Sequence, residues 1–559
     1  MPDLSPDSWL ESERVAAERA DAASPRHARV VTGRNGLVAA TTSPVAVLAG
    51  VHALRHGGSA ADAAATVALT QIVTSLGSFV SFAGTLQLLH HDASTGKTDY
   101  LDAGWSTWLG ETEPSSIPTC DLHPLPFRKA ATTVAEGRKT LVPGFMAGLE
   151  AFHQRLGRLS FAALFQPAIA YAERGIALSP RLASCFSSRG KYLERTPEGR
   201  AFVQQCGGDS PSVGDRFVQR DLARTLRAVA DEGAAYMYTG AWARRYVEAI
   251  QREGGRASID DMARYLPGWE APRRTAFHGN TIVVGGASNA TRVLEALNLA
   301  EALHVDTAGP YFEDPRALHA LARILRVTSA DLVSSNAWLD WKRARGLTLD
   351  PTAHITPDYA RALAAALGDS PPSHSATVVA VDAEGNVAVL AHTINTMPWG
   401  STGIVVGGIP ISDAAGFQQR TLAALAPGAR VPAGMAPLIA FRDDRPVLAL
   451  ASIGSSLVPE TVRLAIGALA NRRDLATLCA APPLLESWEP AHGTIPIPDG
   501  AYRREFLDQL EAAAIPFALK PRAHVAYTRG TAAIAMLDPE TNTCTAAEVP
   551  GVSSIAAAR

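Results

Sequence analysis

The sequence predicts a mixed α+β protein whose helices and sheets stack in layers, and three observations carry that prediction. Strand-like runs gather near both ends of the chain, and a long amphipathic helical region separates them. The runs Thr377 to Val381 and Val387 to Ala391 are apolar on both faces, as in strands covered on each side by another layer. A length of 559 residues suggests three or four average domains, yet there is no internal repeat and no low-complexity linker. The chain therefore reads as one interwoven unit. Its 47% hydrophobic and 19% charged residues match a compact soluble composition.

The elements follow in order. Residues 1–35 read as a polar lead-in with a short surface helix over Trp9 to Glu18. From Gly36 comes a short strand, Leu37 to Thr41. Ser43-Pro44 then opens a helix, the serine as cap and the proline in the first turn where its missing N–H costs nothing; Val47, Val51 and Leu54 share one face. Gly57-Gly58 stops it. Ser59 caps the next helix, SAADAAATVALTQIV, whose alanine-rich and nearly uncharged surface predicts burial between layers. Residues 85–101 predict a hairpin around Asp-Ala-Ser-Thr-Gly. Residues 145–335 read as mostly helical, punctuated by VPG, QPA and glycine-bearing loops. From Ser375 the pattern returns to strands: the two apolar runs around the turn Asp382 to Asn386, then GIVVGGI at 403–409, PLIAF at 437–441, PVLALASIG at 446–454, HVAYT at 524–528 and TAAIAML at 531–537.

Several function classes are disfavoured. A net charge of −3 with no cluster of five or six basic residues gives no footprint for nucleic acid or an anionic membrane surface. No run of eighteen apolar residues predicts a membrane span, and the N-terminus lacks a basic region followed by an apolar one, so a cytoplasmic location is expected. Cys120, Cys185, Cys206, Cys479 and Cys544 lack CxxC spacing and read as inert thiols. Phosphate-loop, dinucleotide and HExxH patterns are absent, and His90, His91 and His392 have no partners at metal spacing. Neither a cofactor nor a metal is expected. Gly286-Ala-Ser288-Asn-Ala290 ends in alanine, so it is not a GxSxG nucleophile elbow.

Four blocks go further: GLVAATTSPVAVLAGVHALRHGGSAADAAATVALTQIV, LVPGFMAGLEAFHQRLGRLSFAALFQPAIAYAERGI, QRDLARTLRAVADEGAAYMYTGAWARRYVEAIQREGG with SIDDMARYLPGWEAP, and VVAVDAEGNVAVLAHTINT. Their content and order, from about residue 36 to about residue 456, resemble the gamma-glutamyltranspeptidase family. The resemblance implies a four-layer αββα sandwich of the N-terminal-nucleophile hydrolase type, assembled from a large-subunit-like region 36–374 and a small-subunit-like region 375–559. It also implies a precursor that cuts itself before its nucleophile into two chains forming a heterodimer. Counting back from Asp382 in VDAEGN puts that nucleophile at Ser375, preceded by His374. A chain-terminal serine carries its own base, an α-amino group with a pKa of about 7.7–8.0.

By the same resemblance Thr393 is a second hydroxyl holding the nucleophile, and Asn395 lines the substrate pocket. Gly454 and Ser455 fall where backbone N–H groups face the developing oxyanion, donors worth about 3–4 kcal/mol of barrier. Asp413 is the nearby carboxylate for a substrate amine, or else a loop acid or helix cap. Thr377 is a second candidate nucleophile that the register disfavours. Thr393 and Asn395 also fit a purely structural role at a strand end, and Gly454 that of a turn glycine.

The departures fall at the site. Serine replaces the family's threonine at 375, and Ala376-Thr377 replaces a Thr-His pair. Gly104 stands where an arginine grips a glutamyl carboxylate, Ala433 and Gly434 stand where two serines assist it, and Gly416 replaces an acid. A glycine run has become FVSFAG at 79–84, and Trp105, Trp108 and Trp399 are candidates for an apolar acyl pocket or for core. Each missing charge-assisted hydrogen bond removes about 1.5–3 kcal/mol. The expected substrate is thus a small amide or peptide, with water or an amine as acceptor and altered acyl specificity. Two alternatives stay open: an acylase for a less charged acyl group, and an uncut binding protein.

Overall fold

Two seven-stranded antiparallel sheets form the centre of the molecule. The structure, a computed structural model, describes residues 2–21, 29–34, 36–118, 134–206, 211–305, 307–333, 340, 342–344, 346–350, 352–364, 376–486, 494–541, 543–549 and 555–558. One sheet runs in the order Ile555–Ala558, Leu37–Ala40, Ala376–Val381, Val387–Thr393, Thr85–Asp92, Lys97–Ala103 and Gly268–Glu270. The other runs Val30–Arg34, Thr543–Ala547, Thr531–Asp538, Arg445–Ile453, Leu438–Arg442, Asn280–Val284 and Arg273–Phe277. Both ends of the chain thus contribute to both sheets.

Side-chain alternation explains why the strands are apolar on both faces. Leu37, Leu89, Val379, Val381 and Val389 meet Val283, Ile439, Ala449 and Ala533 between the sheets. Their neighbours Val38, Leu86, Leu88, Val378 and Leu390 point the other way, against the helices Pro44–Arg55 and Ala60–Thr74. On the far side Ile282, Leu438, Leu450 and Ile534 pack against Ser288–Ala302 and Leu457–Leu469. The layers are helix, sheet, sheet, helix. Ser43 caps its helix by accepting from Ala46 N at 3.2 Å, and Ser59 forms a reciprocal capping box with Asp62. Apart from Thr74, every residue of Ala60–Thr74 is buried, as its composition predicts.

Some elements differ from expectation. HVAYT reads as a strand on its β-branched and aromatic residues, but lies in the helix Arg522–Thr528 that starts after Pro521. GIVVGGI folds into two two-residue strands, Val405–Val406 and Ile409–Pro410, because Gly407 and Gly408 adopt positive φ and turn the chain. The region read as mostly helical also holds Gly268–Glu270, Arg273–Phe277 and Asn280–Val284, the last two joined by a tight turn at His278-Gly279. The lead-in is docked, not solvated. Its helix spans Glu11–Asp21; Trp9, just before it, is buried, stacks on His52 at 5.1 Å and donates to Leu4 O. Val30–Arg34 is an edge strand.

The helix Leu457–Leu469 is anchored by a charge pair removed from water. Arg463 and Glu460 are joined by two hydrogen bonds of 2.7 and 2.6 Å with side-chain exposures of 1% and 0%, and Arg463 also donates to Leu478 O. Removing one partner strands the other's charge. Glu460→Ala is expected to destabilise the fold by about 3–5 kcal/mol in urea denaturation, whereas Glu460→Met combined with Arg463→Leu recovers most of that loss. Equal loss in the single and double variants would contradict the pair's role.

Candidate active site

A small cleft opens at one end of the layer between the sheets, lined by Thr85, Gln87, Gly104, Trp105, Thr393, Asn395, Gln418 and the segment Val431 to Met435. Strand register explains its polar floor. Leu86 and Leu88 face the helices and Leu89 the inter-sheet core, so Thr85 and Gln87 also point between the sheets. Thr85 pairs with Thr393, and Gln87 lies between Ala391 and Asp102. The wall from residue 431 is fixed by Val431 N donating to Trp105 O at 2.8 Å. No charged side chain lines this cleft among the described residues.

Thr393 closes its strand. Its Oγ1 accepts from Asn395 N at 2.7 Å, which folds the chain so that Asn395 sits at φ 48°, a region asparagine tolerates. Gly84 is required beside it, since a Cβ there would come within 2.5 Å of Thr393 O. Thr377 is fully buried, its hydroxyl donating to Ala451 O at 3.0 Å while its N–H donates to Thr41 Oγ1. That hydroxyl ties the two sheets together and does not reach the cleft lining. Ser375 and His374 lie outside the described residues; the strand begins at Ala376, opposite His392 and one residue from the Thr393 position.

Gly454 and Ser455 form the turn between Arg445–Ile453 and Leu457–Leu469. Gly454 has φ 98°, and a Cβ on it would collide with Arg529 O, so only glycine fits. Through the Thr377–Ala451 hydrogen bond this turn lies at the same end of the sandwich as the start of Ala376–Val381. Asp413 is buried and does not line the cleft. Its two oxygens accept from Thr396 Oγ1 at 2.8 Å and Ser401 Oγ at 2.7 Å, so it pins the loop that follows Asn395.

The departures have physical consequences. At Gly104, where the resemblance implies an arginine, another arginine approaches: Arg430, 326 residues away, donates to Gly104 O at 2.6 Å and to Tyr265 Oη and Leu266 O, with its guanidinium 4.4 Å from the Tyr265 ring centre. Ala433 and Gly434 leave space, and a Cβ at Gly434 would meet nothing within 4 Å. Gly416 sits on the short helix Ala414–Phe417. The enlarged segment 79–84 does not wall the cleft, because Phe82 packs on Phe145 in the helix-side core and Phe79 lies under Arg181. Of the three tryptophans only Trp105 lines the cleft; Trp108 donates to Thr140 O and Trp399 to Leu76 O in cores. Cys185, Cys479 and Cys544 are buried, and burial pushes their thiols up, Cys479 to about 12 and Cys544 to about 11. Cys120 lies outside the described residues.

Sequence reasoning did not single out Thr85, Gln87, Gln418 or Arg430. A signal for the first two exists, since TLQLL alternates polar and apolar residues inside an otherwise buried strand. Arg430 carries no local signal.

Two sheets face to face between helical layers, with a cleft at the strand ends, define an αββα sandwich of the N-terminal-nucleophile hydrolase type. The fold is shared with cephalosporin acylase from Bacillus halodurans at a TM-score of 0.77 and 20% identity, over 95% of this chain and 97% of that one. The Gamma-glutamyltranspeptidase family profile matches residues 46–548, and the chain belongs to that family. Curated relatives include Acylase ACY 1 proenzyme of Pseudomonas sp. (strain SE83), 28% identical over 81% of this chain and 82% of the relative. Glutathione hydrolase proenzyme of Pseudomonas aeruginosa is 27% identical over 78% and 80% of the two chains.

His392 adjoins Thr393 but faces the helices. Its Nε2–H donates to Gln71 Oε1 at 2.9 Å, since the Gln71 amide nitrogen is occupied by Thr42. Burial pushes its imidazole down to about 3, and that of His90 down to about 4. Both fold neutral, and the unfolded chain binds their protons at about 6.5. Their contribution to stability is therefore fully present above pH ~6.5 and is lost as pH falls towards the folded values, by up to about 1.4 kcal/mol per pH unit for each. Urea midpoints between pH 7 and pH 4 should fall with acid, and His392→Gln should flatten the slope; an unchanged slope would show that His392 is already charged in the folded protein.

Proposed function

We propose that the chain is a gamma-glutamyltransferase-like amide hydrolase or acyltransferase that cuts itself before Ser375 and forms an acyl-enzyme on that residue, with specificity moved away from glutamyl groups. The carrying observation is the cleft itself: hydroxyls and amides near the start of Ala376–Val381, and no charged side chain in its lining among the described residues. Ser375 precedes Ala376, which lies opposite His392 at the end of the sandwich where Thr393 and Asn395 sit. That two related proteins are named proenzymes supports self-processing.

The new α-amino group takes the Ser375 proton as Oγ adds to the amide carbonyl carbon. The tetrahedral oxyanion is held by backbone N–H groups at Gly454 and Ser455. Collapse expels the amine, which leaves with the proton, and water or an acceptor amine then attacks the ester. Thr393 Oγ1 holds the nucleophile and Asn395 contacts the acyl group. Asp413 acts indirectly, by fixing the loop that presents Asn395. With Arg430 engaged by three protein acceptors and the two hydroxyls gone, a glutamyl carboxylate finds no comparable grip. This favours the less charged acyl amides of the acylase reading.

Denaturing electrophoresis of the purified protein should show fragments of 374 and 185 residues, the smaller beginning at Ser375. Ser375→Ala should remain uncut and inactive. A neutral acyl anilide should exceed its γ-glutamyl counterpart in kcat/KM by at least about tenfold, because no charge-assisted grip on a carboxylate is in place. Maturation and turnover surviving Ser375→Ala would refute the mechanism. An uncut, inert wild-type chain would favour a binding protein, and a glutamyl preference would refute the specificity.

A further inference from the structure

We propose that Gln87 is a specificity-determining residue, whose side-chain carbonyl accepts a hydrogen bond from an uncharged O–H or N–H group carried by the substrate's acyl chain. The inference deepens the function proposed above and rests on that reading for the site of acyl transfer. Gln87 is 1% exposed, lines the cleft, and its Oε1 has no hydrogen-bond partner among the described residues. Gln87 lies directly opposite Asp102 across the strand pair. Oε1 is the end of its amide without a partner among the described residues. A buried acceptor without a partner carries a substantial penalty, so such an atom marks a place where a ligand donor belongs.

Strand geometry fixes how far along the acyl group the donor lies. Thr85 stands opposite Thr393, and Gln87 is two residues further in on the same face, about 6.6 Å along the strand. The donor therefore sits several bonds from the scissile carbonyl, near the end of a medium-length acyl chain. Its neutrality follows from the surrounding charges. Asp102 is the nearest carboxyl, but it accepts from Gly104 N at 2.8 Å, and Arg430, bound to Gly104 O, offsets its field. An ammonium group entering the cleft would find no acidic side chain among the described lining residues to hold it.

The test uses para-nitroanilides of hexanoic acid and of two isosteres in which the terminal methyl is replaced by hydroxyl or by ammonium. Wild-type protein should favour the hydroxyl compound over the methyl one by about tenfold in kcat/KM, and the ammonium compound should not surpass it. Gln87→Met, of similar length and adaptable packing, should lower the hydroxyl compound about tenfold and the methyl compound less than about twofold; Gln87→Leu provides a second apolar variant. Equal losses on both compounds would make Gln87 merely structural and overturn the proposal. So would a preference for ammonium. If no anilide is turned over, the Ser375 mechanism has failed separately, and Gln87 is judged by thermal shift with the corresponding N-methyl amides. Greater stabilisation of wild type by the hydroxyl amide, lost in Gln87→Met, supports it; no difference overturns it.

Discussion

The strand Ala376–Val381 is hydrogen-bonded along both edges, to Leu37–Ala40 and to Val387–Thr393, and its alternate side chains are buried above and below. The rest of the molecule is organised around that confinement. A strand held on four sides is fixed by its own neighbours, independently of the backbone that precedes it. The hydroxyl of Thr377 adds a fifth restraint, spanning the inter-sheet layer to Ala451. Ala376, the first described residue of the strand, is thereby tied to a rigid frame. Catalysis by a chain terminus requires such a frame, since a nucleophile must be held near its attack geometry, yet termini are ordinarily the least ordered part of a protein.

Much of this frame is legible in the sequence because local chemistry and tertiary demand agree there. Ser43 and Ser59 cap the helices that their spacing predicts, and the uncharged surface of Ala60–Thr74 is buried as its composition requires. Where the two levels disagree, reading fails. His524 to Thr528 is helical despite its β-branched and aromatic residues, and the segment 403–409 is broken by two glycines that its hydrophobic run conceals. In the site, Thr393 and Asn395 are placed by resemblance, and both line the cleft. Gln87 carries a periodic signal, but knowing which face of its strand looks between the sheets requires the pairing partners. Arg430 reaches Gly104 across 326 residues, and nothing near either residue announces the contact.

That long-range contact bears on the proposed shift of specificity. An arginine arising at position 104 would find its Cβ within 3.0 Å of Asp102 Oδ1 and Val431 O, and within 3.5 Å of Arg430 Cδ. The tight contacts are with Asp102 and Val431, whereas Arg430 lies at ordinary contact distance. Arg430 stands beside this position and donates to Gly104 O, Tyr265 Oη and Leu266 O. The positive charge is retained at the rim but turned towards the protein, where it braces the wall that Val431 continues.

A lining without charged side chains among the described residues also sets how selectivity must work. A carboxylate grip supplies affinity through a few strong, directional hydrogen bonds, so it tolerates a loosely filled pocket. Without it, discrimination falls to volume and to single neutral hydrogen bonds, and a missing methylene alone separates substrates by only about 1–3 kcal/mol. A buried amide such as Gln87 restores leverage, because a substrate lacking the matching donor leaves Oε1 unpaired in a dry environment. The open space at Gly434 and the apolar ring of Trp105 set the volume limit. Shape and one polar contact then divide between them the work that a charge pair would otherwise do.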